Sequence, residues 1–307
     1  MQTDYLMFAD IDHKHPEVRK DIMDWSLWVS NKLKLGGMRF DAVKHYSEGF
    51  LLDLLNNLTS KHAEDWFSVG EFWKDDVGTM HHYLDIMHHQ FSLFDTPLVY
   101  KFSQASYTPN FDLRGILDGT LVQSKPINAV TLVQNHDTQP GQALEVGMNG
   151  WFKPLAHALI LLRISGYPCI FWGDLYGTQG PQGREQEPSC GGALPDMILA
   201  RKLYAYGEQN DYFDYATCIG WVRRGTWDRP DGCAVVMSDA GAGYKRMYVG
   251  LEHKGETWTD VLGWNNCKAV VGADGFAQFE CSSTSVSIYV RDGAPGREQF
   301  GKIRPHK

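Results

Sequence analysis

Three carboxylates stand where strand-like runs end. Asp41 closes the run GMRFD, Glu71 closes WFSVGE, and Asp137 follows AVTLVQNH. The first two lie thirty residues apart and the third sixty-six further on, close to one and two βαβ units of roughly 30 or more residues each. That spacing predicts that all three project from the C-terminal rim of one parallel sheet, the rim where barrels of this construction place their active sites. A carboxylate there is costly unless paired, hydrated or used. Any one of them could cap a helix or pair with a neighbouring Arg or Lys. Three at matching strand ends, flanked by Arg39, Lys44, His45 and His136, point instead to acid, base or nucleophilic work.

The elements that must position these residues alternate. Val18, Ile22, Trp25, Val29 and Leu33 recur at helical spacing after Pro16, predicting an amphipathic helix that ends at Gly36-Gly37. Strand-like segments follow at 38–42 and 66–72, in an apolar run over 91–102, and at 129–133 and 168–172. Helical segments are expected at 50–61, 77–90, 113–122, 151–164 and 196–206. Strands alternating with helices predict parallel βα units, five strands in number. After Gly207 the texture changes to short runs such as CIGWVRR, CAVVMS and VSIYV between Gly, Asp and Asn turns, which reads as an antiparallel sandwich. The expected boundaries are 1–207 for the α/β part, 208–293 for the sandwich and 294–307 for a loose polar tail.

Composition narrows the function classes. Lys and Arg total 29 against 37 Asp and Glu, a net charge of −8, which argues against nucleic acid and against an anionic membrane surface as partners. The most apolar stretch, 158–172, is broken by Arg163, Gly166 and Pro168 and is not a membrane span. The acidic start MQTDYLMFADID does not read as a signal peptide. Six scattered cysteines without a C-x-x-C pair read as reduced, mostly buried thiols. The 10 Trp, 15 Phe and 14 Tyr suit stacking on sugar rings but equally a large core.

Longer motifs around the carboxylates carry a resemblance. GMRFDAVKH at 37–45, VGEFW at 69–73 and VQNHDTQ at 133–139 resemble, in order, the second, third and fourth signature motifs of the α-amylase family of retaining glycoside hydrolases. DYLMFADID at 4–12 and GYPCIFWGDLYGT at 166–178 are similar to further segments of its liquefying bacterial-type members. The resemblance runs from about Asp4 to Arg291. It implies strands four to eight of a (β/α)8 TIM barrel followed by an all-β C-terminal domain, with the residues before the first strand belonging to the protruding B domain. It implies Asp41 as nucleophile, Glu71 as acid/base and Asp137 as the third, substrate-distorting carboxylate. Arg39 and His136 match residues that bind the nucleophile and the −1 sugar, and Lys44, His45 and Trp73 match substrate contacts. The substrate class is an α-glucan polysaccharide or maltooligosaccharide, with no protein partner implied. The chemistry is consistent, since a retaining glycosidase needs one ionised and one protonated carboxyl close together.

The same resemblance implies calcium. Asp4 and Asp10 match side-chain ligands, the backbone carbonyl of His45 matches another, and Asp12 lies beside them, a set that suits a hard, oxygen-preferring cation. Asp211 and Asp239 fall near the acidic positions of a further calcium site, with Asn210 where a histidine is usual. The sequence departs from the family in lacking the first motif, and Gln134 stands where the close bacterial pattern has Asp. Hydrolysis, transglycosylation and glucan binding without turnover all remain open on sequence, as does the compartment, extracellular or cytoplasmic.

Three other patterns carry no chemistry. His81-His82 and His88-His89 sit seven apart on an expected helix without an acidic or cysteine partner at ligand spacing. Gly241-Ala242-Gly243 lacks the third glycine and following helix of a nucleotide loop and reads as a hairpin turn. No G-x-S-x-G elbow is present.

Overall fold

A computed structural model describes residues 11–62, 66–179 and 185–302. In chain order the larger elements of the α/β part are α1 (Pro16–Leu33), β1 (Gly37–Phe40), α2 (Glu48–Lys61), β2 (Phe67–Gly70), α3 (Val77–Ile86), β3 (Ser92–Phe94), α4 (Thr96–Tyr107), α5 (Leu121–Ser124), β4 (Ala129–Thr131), α6 (Lys153–Leu162), β5 (Tyr167–Pro168), α7 (Trp172–Tyr176) and α8 (Leu194–Tyr204). The five strands form one sheet in the order β1-β2-β3-β4-β5, with β1–β2, β2–β3 and β3–β4 parallel. The expected alternation and strand number hold.

Backbone contacts divide the chain into two compact units: residues 1–97 with 119–130, and residues 98–118 with 131–307. In the first, Ser47 caps α2 by accepting from the Phe50 N–H, and Phe50, Leu51, Leu54, Leu55 and Leu58 form its buried stripe. Met80, Tyr83 and Leu84 of α3 and Leu93 of β3 are also buried. Gly37 lies opposite Phe67, and a Cβ there would fall 2.0 Å from the Phe67 carbonyl oxygen. The β1–β2 approach therefore requires glycine.

Several expected boundaries shift. The apolar run at 91–102 splits into a three-residue strand and the start of α4, and the expected helix at 113–122 is a 3₁₀ turn, Leu113–Gly115, followed later by the short α5. The helix expected to reach residue 90 stops at Ile86, because His88 and His89 adopt positive φ. Trp25 and Leu33, expected on the buried face of α1, are 57% and 64% exposed, and the helix buries only Ser26 and Ser30.

The second unit holds the antiparallel part: β6 (Gln209–Tyr215), β7 (Cys218–Arg223), β8 (Cys233–Ser238), β9 (Gly243–Tyr248), β10 (Thr257–Asp260), β11 (Lys268–Val270), β12 (Phe276–Cys281) and β13 (Ser285–Arg291). Six strands pair in the order β11-β10-β13-β8-β7-β6, while β9 pairs only with β12 among the described residues. Trp258, Phe279, Tyr289, Val222, Val236 and Met247 pack into one core. The Gly241-Ala242-Gly243 turn is thus no hairpin; it carries the chain from β8 in one sheet to β9 in the other. The expected loose tail is ordered as far as residue 302: Arg297–Gln299 forms a 3₁₀ turn, Tyr204 donates to the Pro295 carbonyl, and the Gly301 N–H donates to Asp196. No helix among the described residues is long and apolar enough to cross a membrane.

Candidate active site

Asp41 and Glu71 are the residues directly following β1 and β2. The parallel pairing continues past the strands: the Glu71 N–H donates to the Phe40 carbonyl, and the Val43 N–H donates to the Glu71 carbonyl. Between them Ala42 turns the chain at φ 47°, a left-handed conformation that is unfavourable for alanine. This turn directs the Ala42 N–H onto Glu71 Oε2 at 3.2 Å. Arg39 completes the group, with Nη2 3.0 Å from Glu71 Oε2 and Nη1 on Asp41 Oδ1.

The two carboxyls differ in environment. The Asp41 side chain is 72% exposed and that of Glu71 8%. Burial raises the Glu71 pKa above the ordinary carboxylate value, and hydrogen bonding and charge from Asp41 add to the rise. The Ala42 N–H and Arg39 pull the other way without reversing it. One accessible carboxylate beside one carboxyl biased toward its protonated form is the division that nucleophile and acid require.

Asp95 shows what the alternative looks like. It follows β3 as Asp41 follows β1, yet it is fully buried, and its two oxygens accept from the Leu121 and Val122 N–H groups at 3.0 and 2.7 Å, capping α5. Lys44 donates to the Trp73 carbonyl at 2.9 Å. Trp73 itself is buried, with its indole N–H unpartnered among the described residues. His45 ends the 3₁₀ turn Val43–His45.

His136 and Asp137 belong to the second unit, where His136 Nε2 lies 3.2 Å from Asp137 Oδ2. Asn135 shapes their loop: its side-chain oxygen accepts from the N–H groups of Asp137 and Thr138 and from the Thr138 hydroxyl. The Gln134 amide donates to Asp174 Oδ1 at 3.1 Å, both side chains being buried.

That bond leads to a cluster the sequence analysis did not single out. Asp174 also meets Lys153 Nζ at 3.2 Å and the Ser189 hydroxyl, and His157 Nε2 lies 3.6 Å from Asp174 Oδ2. His157 Nδ1 is 2.8 Å from the Lys153 carbonyl, a contact it can make only as a donor. Its other nitrogen therefore carries a lone pair toward a carboxylate unless it is protonated. Burial lowers the His157 pKa, but Cys190 and Asp174 outweigh it and push the value up to about 10. Burial likewise works against ionised Asp174, and His157, Lys153 and Ser189 hold its pKa below the ordinary value. The legible signal was Lys153 and His157 one turn apart in the otherwise apolar stretch KPLAHALILL.

Of the expected calcium ligands, Asp4 and Asp10 lie outside the described residues. Asp12 accepts from the Lys14 N–H at 2.9 Å, closing its own turn. Among the described residues, no three His, Cys, Asp or Glu side chains gather as a metal group. Asp211 is engaged by Arg163 at 2.9 and 2.7 Å. Asp239 is buried, and burial pushes its pKa up to about 6 although the backbone N–H groups of Asp239 and Phe111 pull the other way. The histidines at 81 and 89 have ordinary partners, Ser124 and Asp85.

Known proteins resemble this chain over nearly its whole length. An α-amylase of Bacillus licheniformis is 45% identical over 290 residues, covering 94% of this chain and 56% of the relative. A glucan 1,4-alpha-maltohexaosidase of Bacillus sp. (strain 707) is 44% identical over 291 residues, covering 94% and 55%. Over 94% of its length this chain is similar to α-amylases. A cytoplasmic α-amylase of Escherichia coli (strain K12) is 40% identical over 294 residues, covering 94% and 59%. The chain spans about half the length of the curated relatives it matches. Among solved structures, an Anoxybacillus α-amylase superposes with a TM-score of 0.71 at 17% identity, covering 95% of this chain and 69% of the other. An α-amylase from Geobacillus thermoleovorans, complexed with acarbose, gives 0.69 at 16%, covering 94% and 71%. These distant likenesses speak to fold. No family model matches the chain.

Proposed function

We propose that this chain carries the catalytic carboxylates of an endo-acting α-1,4-glucan hydrolase working by double displacement. Its five parallel strands are read as strands four to eight of a (β/α)8 barrel, residues 208–293 as the β-sandwich domain and 294–307 as a polar extension. The observation that carries the proposal is the single guanidinium of Arg39 donating to both Asp41 and Glu71, with the first carboxyl exposed and the second buried.

In the first step the Asp41 carboxylate attacks the anomeric carbon while the Glu71 carboxylic acid protonates the departing glycosidic oxygen. A glycosyl ester on Asp41 forms as the α-1,4 bond breaks. In the second, Glu71, now ionised, takes a proton from water as that water attacks the same carbon, freeing Asp41 and restoring the Glu71 acid. Arg39 favours ionised Asp41. Asp137, with His136 beside it, serves as the third carboxylate that favours a distorted sugar, and Lys44, His45 and Trp73 contribute contacts beyond it. A sugar hydroxyl in place of water would give transglycosylation.

Calcium would be held by Asp4, Asp10 and the His45 carbonyl, whose hard oxygens suit it, with Asp12 at its edge. In the second unit, the buried carboxylate of Asp239 is the group an added cation would neutralise; Asp211, committed to Arg163, is not. The ion's contribution there is structural. The ligand class is a neutral α-glucan, which supports the reading of a −8 chain without nucleic acid or membrane partners. Asp41→Asn and Glu71→Gln test the reading: each should remove nearly all hydrolysis of soluble starch, and retention of more than about a tenth of the rate by either would overturn it.

A further inference from the structure

Two buried thiols meet between the sheets of the antiparallel part. Cys218 opens β7 in the six-stranded sheet, and Cys281 closes β12 in the two-stranded sheet, sixty-three residues later. They share one core and are 4% and 1% exposed. Both are free, and the Cys281 side chain hydrogen-bonds to that of Cys218.

Glycine makes the meeting possible. Gly243 of β9 lies opposite Cys281 in the β9–β12 register. A Cβ at Gly243 would fall 2.7 Å from Cys218 Sγ and 3.2 Å from Cys218 Cβ, so a side chain there would displace the thiol. Instead the Gly243 N–H donates to Cys281 Sγ, and Cys218 Sγ lies 3.8 Å from the Tyr244 carbonyl oxygen. The two sulfurs are unequal. The hydrogen bond from Cys281 lowers the Cys218 pKa, and the Lys245 ammonium adds to the fall, against burial and the charges of Asp214 and Asp239. The same hydrogen bond, with burial, raises the pKa of Cys281. Elsewhere burial pushes Cys233 up to about 12, and a hydrogen bond to Glu280 raises the exposed Cys267. One thiol inclined to ionise beside one that keeps its proton is the arrangement of an attacking and a resolving cysteine.

We propose that Cys218 and Cys281 form a reversible disulfide that ties the two sheets of the sandwich together, with a low-molecular-weight disulfide as oxidant. The Cys218 thiolate attacks one sulfur of that disulfide, giving a mixed disulfide and releasing one small thiol. Cys281 then loses its proton and attacks Cys218 Sγ, and the Cys218–Cys281 bond forms as the second small thiol leaves. The protein gives up two electrons and two protons, and the small disulfide becomes two thiols. Closing the bond brings the sulfurs from hydrogen-bonding contact to about 2.05 Å. β9 and β12 pair only with each other among the described residues, so a covalent link to β7 adds a tie that no backbone ladder supplies. It also closes a long loop, where a cross-link restricts the unfolded chain most. Because both thiols are buried, exchange proceeds through local opening, and sub-denaturing urea speeds it.

The full chain equilibrated with oxidised and reduced glutathione, with and without sub-denaturing urea, provides the test. It is then alkylated and digested, and its peptides are weighed. The expected product is one peptide pair joined through Cys218 and Cys281, lighter by two hydrogens, formed within single chains on a non-reducing gel and undone by dithiothreitol. The linked form should melt about 5–10 °C above the reduced form. Cys281→Ala should stop at glutathione on Cys218, Cys218→Ala should leave Cys281 unmodified, and Cys267→Ala should leave the link intact. Free thiols at both positions, glutathione on Cys218 of the unmodified chain without the link, or a link to another cysteine would each overturn the proposal. A linked form that melts no higher than the reduced one would overturn its role as a tie between the sheets.

Discussion

Arg39 Nη2 lies 3.0 Å from Glu71 Oε2, while the other arm of the same guanidinium holds Asp41. The cation opposes the effect of burial on Glu71, so removing it should raise the Glu71 pKa further. Arg39→Gln should lower kcat/KM by about a hundredfold through lost positioning. It should also move the alkaline limb of the pH–rate profile upward, because the acid stays protonated to higher pH. An unshifted limb would separate Arg39 from the acid.

Ala42 holds its turn at φ 47°. Ala42→Val, which puts a β-branched side chain in the left-handed region, should cost about 1–3 kcal/mol, whereas Ala42→Gly should be neutral or stabilising. Urea unfolding midpoints measure both, and an equally stable Ala42→Val protein would mean the turn is not as described.

Asp239 gives a stability signature in pH. Its folded pKa, pushed up to about 6, lies above the ordinary carboxylate value. The folded state therefore binds the proton more tightly, and the associated stability is present below the ordinary value and lost as pH rises through about 6. In chelator, Asp239→Asn should raise the melting temperature at pH 7.5 by more than at pH 4. The same shift at both pH values would contradict a carboxylate whose pKa burial holds above the ordinary value.

Calcium should raise the melting temperature of the chain, since a ligand of the folded state stabilises it by mass action. Asp10→Ala should reduce that rise. A chelator without effect, with Asp10→Ala equally silent, would remove the calcium assignment.

The first unit leaves apolar surface in the open. Trp25, Trp28 and Leu33 of α1 are each more than half exposed, and a cavity of about 580 Å³ beside α1, β1 and α2 is lined by Ile22, Trp25, Val29, Phe40 and Phe50 among others. β1 ends the sheet order, leaving one strand edge unpaired among the described residues. Residues 1–307 expressed alone should elute as oligomers on size exclusion. A compact monomer would contradict this.

What was legible in the sequence were the local patterns. Asp41 and Glu71 could be placed because a strand-like run ending in a carboxylate fixes both the element and the rim. Asp95 meets the same description and caps α5, a difference that depends on where residues 121 and 122 fold back, not on spacing. Helical period put Trp25 and Leu33 in a core, but period says which residues share a face and not whether anything covers it. The turn at 241–243 reads locally as a hairpin, but partner choice in a sandwich is non-local: β9 pairs with β12, nearly thirty residues on. The Asp174 cluster was missed for a related reason. Gln134, Lys153, His157 and Ser189 come from four separate segments, and only the fold brings them to one carboxylate.

The most direct test is to trap the glycosyl ester. The chain would be incubated with an activated fluorinated glucosyl donor whose enzyme ester turns over slowly, then digested and its peptides weighed. The expected result is one added glycosyl group on the peptide containing Asp41, absent in Asp41→Asn. A label on Glu71 or Asp137 instead, or no label at any carboxylate, would contradict the assignment of Asp41 as nucleophile.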